Sequence, residues 1–270
     1  MPALDPERVF GPEEGARLIG GRGEVVQSVP SAMSVARKRL LDGAPDGYVV
    51  IAEHQTAGRG RTGSWHCPPG MGILMSVVLR LGLPSAEQKL LAILGAVAAA
   101  QAVQAVGVPA RIKWPNDVVV AEHEGGRLKM RKLGGVLVEH VPGDEAAGPY
   151  VLGIGLNVNQ GSEDLPAVFG TPPTSLRLVK GSEQDRTTVC RALLRELDTW
   201  YRRLRMAQPE RLLARWRTLS CLLGEPVRLR ADGRPLSGTI IGLSSTGDLI
   251  LRADDGTQMT LSDERAKLLP

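Results

Sequence analysis

The sequence predicts an α+β fold, a mixed β-sheet with helices packed against it, followed by a small all-β module. Three observations predict it. Strand-like and helix-like segments alternate irregularly over the first 220 or so residues. An alanine-rich apolar stretch is the length of a buried helix. After Gly224 the pattern changes to short β-type runs separated by Asp232-Gly233, Thr246-Gly247 and Asp255-Gly256, dipeptides that favour tight hairpin turns.

Taken in order, residues 1–23 are rich in glycine, proline and scattered charge without periodicity, and read as a loosely attached lead-in. Residues 24–27 read as a strand, 31–41 as a helix opened by Ser31, and 48–53 as a buried strand. A Gly/Arg loop follows. Residues 72–80 read as a strand, and 85–106 as a helix set off by Pro84 and stopped by Gly107. Strands are expected near 118–121, 134–141 and 150–158, and two helices over 187–206 and 209–219. These elements define a larger domain over 24–221 and a β-rich domain over 222–270. With under ~50 residues the second buries little surface alone, so it is expected to rest on the first.

The 270 residues carry 33 basic and 29 acidic side chains, a net charge of +4, mixed along the chain. That modest excess suits an anionic small ligand and does not call for nucleic acid. No basic-then-apolar leader opens the chain, and the most apolar stretch, 90–100, falls short of the ~18 residues of a membrane span. A cytoplasmic protein is expected, without membrane association. Cys67, Cys190 and Cys221 are odd in number and lack paired metal spacing, so reduced thiols and no zinc site are expected. Cys67, His54 and His66 read as structural.

Four segments could carry chemistry. The loop Gln55-Thr56-Ala57-Gly58-Arg59-Gly60-Arg61-Thr62-Gly63-Ser64-Trp65 combines glycines, which let backbone N–H groups approach an anion, with arginines that bind phosphate or carboxylate through paired donors. Its G-x-G-x-x-G spacing lacks the following helix of a dinucleotide fold, and no Gly-Lys-Ser/Thr makes it a Walker loop. A solvated basic turn is the plain alternative. Lys113-Trp114-Pro115-Asn116-Asp117 presents a cation, an amide and a carboxylate, of which Asp117 suits magnesium or an incoming amine; for these five residues alone an ordinary β-turn is the favoured reading. Lys132-Leu133-Gly134-Gly135 leads a lysine into a strand whose glycines permit close ligand approach, or into a simple bulge. Gly153-Ile154-Gly155-Leu156-Asn157 places glycines within a strand, as a strand wrapping a pocket or a bulge would.

In this order, Gly-Arg-Gly-Arg, Lys-Trp-Pro-Asn-Asp, Lys-x-Gly-Gly and Gly-x-Asn resemble the biotin protein ligase family over roughly residues 24–269. The resemblance implies a sheet like that of class II aminoacyl-tRNA synthetases followed by an SH3-like β-barrel. It implies that biotin is activated by ATP as biotinyl-5′-AMP and transferred to a lysine of a biotin carboxyl carrier protein or domain of acetyl-CoA or acyl-CoA carboxylase. It places biotin near Ser31, Gln55, Gly58, Arg59, Lys132 and Gly135. It places ATP near Gly58, Arg59, Gly60, Arg61, Trp65, Asn116, Asp117, Lys132 and Asn157, with Mg2+ at Asp117. Arg59, Arg61, Lys132 and Asp117 are the implied catalytic residues. The chain departs from the family at Ala32-Met33, where a further hydroxyl is usual, and at Ser262-Asp263-Glu264-Arg265 near the C-terminal edge.

No DNA-reading helical domain precedes residue 24, so specific DNA binding is not expected, and the ligase would act as a monomer or a homodimer. A lipoate or octanoate ligase of the same fold and a non-catalytic biotin sensor are the competing readings; the pairing of Gly-Arg-Gly-Arg with Trp-Pro-Asn-Asp weighs against the first, and retention of both arginines, Lys132 and Asp117 against the second. Because Arg59 and Arg61 would repel each other without an anion between them, the loop is expected to be mobile when no ligand is bound.

Overall fold

The computed structural model describes residues 2–11, 17–61, 63–84, 87–142, 148–166 and 170–269. Thr62 of the Gly/Arg loop and Ser85 of the expected long helix lie outside the described residues.

The elements run α1 (Pro6–Phe10), β1 (Gly23–Val29), α2 (Ala32–Leu41), β2 (Val49–Gln55), β3 (Gly72–Leu79), α3 (Lys89–Ala105), β4 (Ala110–Lys113), β5 (Asp117–Glu124), β6 (Arg127–His140) and β7 (Tyr150–Asn157). They continue with α4 (Leu176–Lys180), α5 (Arg186–Arg205), α6 (Pro209–Leu219), β8 (Pro226–Ala231), β9 (Arg234–Leu243), β10 (Leu249–Ala253), β11 (Gln258–Leu261) and β12 (Ala266–Leu268). Seven strands form one sheet in the order β1-β2-β3-β7-β6-β5-β4. The α2 crossover makes β1 and β2 parallel, and the remaining neighbours in the sheet pair antiparallel, β3 with β7 across the long excursion through α3 to β6. A separate antiparallel sheet, β11-β10-β9-β8-β12, closes the chain. Mixed sheet, packed helices and terminal β-module are therefore as expected. No helix among the described residues is long and apolar enough to cross a membrane.

Alternation along the strands separates two cores. Val49 and Ile51 of β2 belong to the larger cluster, which also holds the buried residues of α3 and α5, whereas Val50 and Ala52 face α2 in a smaller one with Met33, Ala36, Leu40, Leu74 and Val78. Helix α3 is buried nearly all round, which explains its continuous apolar sequence. The C-terminal sheet does rest on the larger domain: Leu229, Ile240, Leu249 and Leu251 join the main core, and Lys89 of α3 pairs with Asp248. Its first hairpin turns on Asp232 and Gly233, both at positive φ (47° and 79°), as the Asp-Gly signal predicts.

Three expectations need correction. The described residues among the first 23 are not loosely attached. Leu4, Val9 and Ile19 are buried in the main core, Leu4 N donates to Glu53 Oε1 (2.7 Å), and Leu18 N and Ile19 N donate to Asp198 Oδ1 (2.7 and 2.9 Å). Their spacing is too irregular to reveal the burial. The short strand β4 escapes the pattern because four residues carry too little periodicity. Strand β6 begins at Arg127 rather than near 134, pairing with β5 as a long, mostly solvated hairpin arm.

Candidate active site

A cavity of about 490 Å³ opens on the α2 side of the sheet, bounded by Met33, Leu74 and Leu137. That volume falls in the range of small-molecule sites. Ser31, Gln55, Arg59, Gly60, Arg61, Trp65, Asn116, Asp117, Lys132, Gly135 and Asn157 all line it. Gly58 does not; it lies behind the wall, where a Cβ would come within 2.4 Å of Trp65 O and 2.9 Å of Gln55 Nε2.

The floor is a patch of sheet stripped of side chains. Gly135 of β6 pairs with Gly155 of β7, and Gly153 lies two residues along on the same face. Met33 covers Gly153 and the Trp65 indole covers Gly155, where a Cβ would stand 2.6 Å from Trp65 Cε2. Trp65 Nε1 is buried without an acceptor among the described residues.

One irregularity aims the lysine. Val118 pairs with Gly134 and Val119 with Lys132, so Leu133 is an extra residue on β6. Residues 132 and 135 would face opposite sides of a regular strand; the bulge turns both to the cavity. Lys132 Nζ then reaches Asp117 Oδ1 at 2.6 Å and lies 5.8 Å from the Trp65 ring centroid. The strand end is pinned by Lys132 N donating to Pro172 O (2.7 Å) and Thr174 N to Lys132 O (2.8 Å).

The biotin-side residues are partly committed. Ser31 Oγ caps α2 by accepting from Met33 N (3.2 Å), and Gln55 Oε1 accepts from Ala32 N (2.7 Å), which leaves the Gln55 amide N–H groups for a ligand. The two asparagines mainly brace the wall. Asn116 Nδ2 donates to Val136 O (2.6 Å), while Asn157 donates to Thr174 O (3.0 Å) and accepts from Gln160 Nε2 (2.9 Å).

The Gly/Arg loop is a hairpin, with Trp65 N donating to Gly58 O (2.9 Å) and Gly60 N to Gly63 O (2.6 Å). The expected repulsion between its arginines does not arise, because each faces its own carboxylate. Arg59 Nη2 contacts both oxygens of Glu139 (2.9 and 3.1 Å), and Arg61 Nη1 lies 3.6 Å from Asp263 Oδ2. An incoming anion therefore competes with these two carboxylates for the arginines.

Several lining residues have no sequence signal of their own. His66, which the sequence suggests is structural, lines the cavity, as does Leu268 from the C-terminal sheet. Lys113 donates to Thr171 Oγ1 (2.7 Å); burial lowers its pKa below the usual lysine range, opposed by the Asp117 charge. Burial pushes the thiols of Cys67, Cys190 and Cys221 up to about 12. They stay protonated at neutral pH and are poor nucleophiles. At pH 8 the folded protein should resist iodoacetamide while the urea-unfolded chain takes up three equivalents; rapid native labelling would contradict the burial.

Comparison with known proteins bears on this geometry. Residues 25–158 match the model of the Biotin/lipoate A/B protein ligase family, and 222–262 that of the biotin protein ligase C-terminal domain. The biotin–[acetyl-CoA-carboxylase] ligase of Mycobacterium tuberculosis is 35% identical over 218 residues, 78% of this chain and 75% of that protein. The chain belongs to the biotin protein ligase family. The bifunctional ligase/repressor BirA of Bacillus spizizenii is 32% identical over 238 residues, 87% of this chain and 70% of the relative. Among solved structures, the biotin protein ligase of Aquifex aeolicus in complex with biotin and ATP superposes with a TM-score of 0.75 at 23% identity, covering 92% of this chain and 98% of that one. The four segments singled out in the sequence converge on the cavity, and the second family model falls on the C-terminal sheet.

Proposed function

We propose that the chain uses ATP to convert biotin to biotinyl-5′-AMP, releasing pyrophosphate, and then transfers the biotinyl group to a lysine amine of a carboxylase's biotin carboxyl carrier protein or domain. The observation that carries this reading is the convergence of Arg59, Arg61, Lys132 and Asp117 on one cavity, beside the side-chain-free Gly135 and the Trp65 indole seated on Gly155. A carboxylate is a poor acyl donor because oxide is a poor leaving group. Attack of the biotin carboxylate on the α-phosphate forms a C–O–P anhydride, expels pyrophosphate, and makes AMP the leaving group for the amine.

That attack brings two anions together, and the three cations offset the repulsion. In this reading the Gln55 amide and the buried face around Met33 and Trp65 hold the biotin ring system, and Gly58 shapes the wall behind them. The tail stretches toward Lys132, while Arg59 and Arg61 lie by the carboxylate and phosphates. Asn116 and Asn157 shape the nucleotide side. Asp117 holds Lys132 and is positioned to accept a proton from the incoming amine.

Among the described residues no three His, Cys, Asp or Glu side chains cluster as a metal cage. One carboxylate beside a phosphate-binding lysine fits a magnesium ion carried in on ATP, for which Asp117 would supply an oxygen. Magnesium would supply further offset of phosphate charge.

The rest of the reading follows the family. The large domain spans 24–221 with a class II synthetase-like sheet, 222–270 form an SH3-like barrel, and 1–23 form the N-terminal lead-in. The ligase works in the cytoplasm as a monomer or homodimer without a specific DNA partner. Biotin-dependent release of pyrophosphate from ATP, repeated with lipoate and with octanoate, tests the substrate. Release with biotin alone is expected; release driven by lipoate or octanoate would assign the other branch of the fold.

A further inference from the structure

We propose that Asp263, on the turn between β11 and β12 of the C-terminal sheet, is a positioning residue for ATP use: it holds the Arg61 guanidinium at the mouth of the cavity. The inference rests on the ligase reading and extends the site into the second sheet.

Arg61 Nη1 contacts Asp263 twice, 3.6 Å from Oδ2 and 3.4 Å from the backbone O. The guanidinium carries five N–H donors in a fixed fork, so one edge can be engaged by the turn while the other stays available to a phosphate. Arg61 also lines the cavity, so the free edge has somewhere to point.

The turn is rigid enough to aim a side chain. Arg265 N and Ala266 N donate to Ser262 O (3.1 and 2.9 Å), Asp232 N donates to Arg265 O (3.0 Å), and Arg265 Nε donates to Asp232 Oδ1 (2.8 Å). Strand β12, which follows at once, pairs with β8 and sends Leu268 into the cavity wall. The sheet carrying Asp263 is tied in turn to the catalytic domain by the Lys89–Asp248 pair on α3. The outer arginine of the glycine-rich hairpin is thus met by a separate, well-anchored element. Fixing an arginine before the phosphate arrives lowers the ordering cost of binding. Glu139, on the opposite side, does the same for Arg59.

The test compares the wild type with Asp263→Asn and Asp263→Glu by biotin-dependent pyrophosphate release. Asp263→Asn keeps the backbone contact and removes the carboxylate charge 3.6 Å away, so it should raise the KM for ATP about three- to fivefold, the scale of one partly exposed ion pair, with the KM for biotin and the Tm unchanged. Asp263→Glu should restore most of the loss. A double-mutant cycle on biotinyl-5′-AMP affinity by calorimetry, which needs no turnover, isolates the pair: Arg61→Ala and Arg61→Ala/Asp263→Asn should bind equally. An unchanged KM for ATP in Asp263→Asn, a lowered one that marks Asp263 as a competing anion, or an additive double mutant would each overturn the assignment while leaving the ligase reading intact. A wild-type protein that releases no pyrophosphate with biotin would remove both.

Discussion

Replacing Lys132 by alanine is expected to slow biotin-dependent adenylation by about 30- to 1000-fold, a loss of roughly 2–4 kcal/mol of transition-state stabilisation. The charge repelled between carboxylate and α-phosphate grows as the two anions close, so the contribution of a fixed cation is largest at the transition state rather than in the ground-state complex. Lys132 is such a cation: the Leu133 bulge turns it to the cavity, Asp117 holds its ammonium at 2.6 Å, and the backbone on both sides is pinned to the 172–174 segment. The loss should appear in kcat and kcat/KM together. Folding should be unaffected, because the side chain is about 30% exposed and belongs to no core cluster. A variant that releases pyrophosphate at near the wild-type rate would show that the ammonium does not face the reacting oxygens.

Asp117→Asn is expected to slow biotinylation of a carrier domain by about 100-fold or more, the scale of a lost general base or proton acceptor. The change is nearly isosteric, and the backbone pairing of Asp117 with Gly135 does not involve the side chain. What is lost is charge, and with it both the partner that orients Lys132 and the oxygen able to take a proton from the acceptor amine. Measuring the pyrophosphate burst and the transfer step separately apportions the two roles. Transfer at the wild-type rate would reduce Asp117 to a turn residue, the plain alternative for the Trp-Pro-Asn-Asp segment.

Much of the site was legible because its parts are local in sequence. The Gly/Arg loop, the Lys113–Asp117 turn, Lys132 with its glycines and the Gly-x-Gly strand each sit within one short segment, and strand pairing need only bring them together. The counter-ions were not legible. Glu139 and Asp263 lie 80 and 202 residues from the arginines they face, so nothing near Arg59 or Arg61 announces them. The expected repulsion between the arginines was wrong for that reason. Thr171, which receives Lys113, and Leu268 come from other distant segments. The fold shows the same division: alternation predicted most strands and the Asp-Gly turns, while the burial of Leu4, Val9 and Ile19 depends on where α5 and β2 present Asp198 and Glu53 to the lead-in backbone.

A single-turnover transfer tests the central claim most directly. The protein is incubated with biotin, ATP and magnesium, stripped of small molecules by gel filtration, and mixed with a biotin carboxyl carrier domain in the absence of ATP. If the cavity makes and shelters biotinyl-5′-AMP, intact mass measurement will show the carrier domain gaining one biotinyl group at a single lysine, with AMP released in equal amount. A carrier domain of unchanged mass, with no adenylate retained by the protein, would contradict the account.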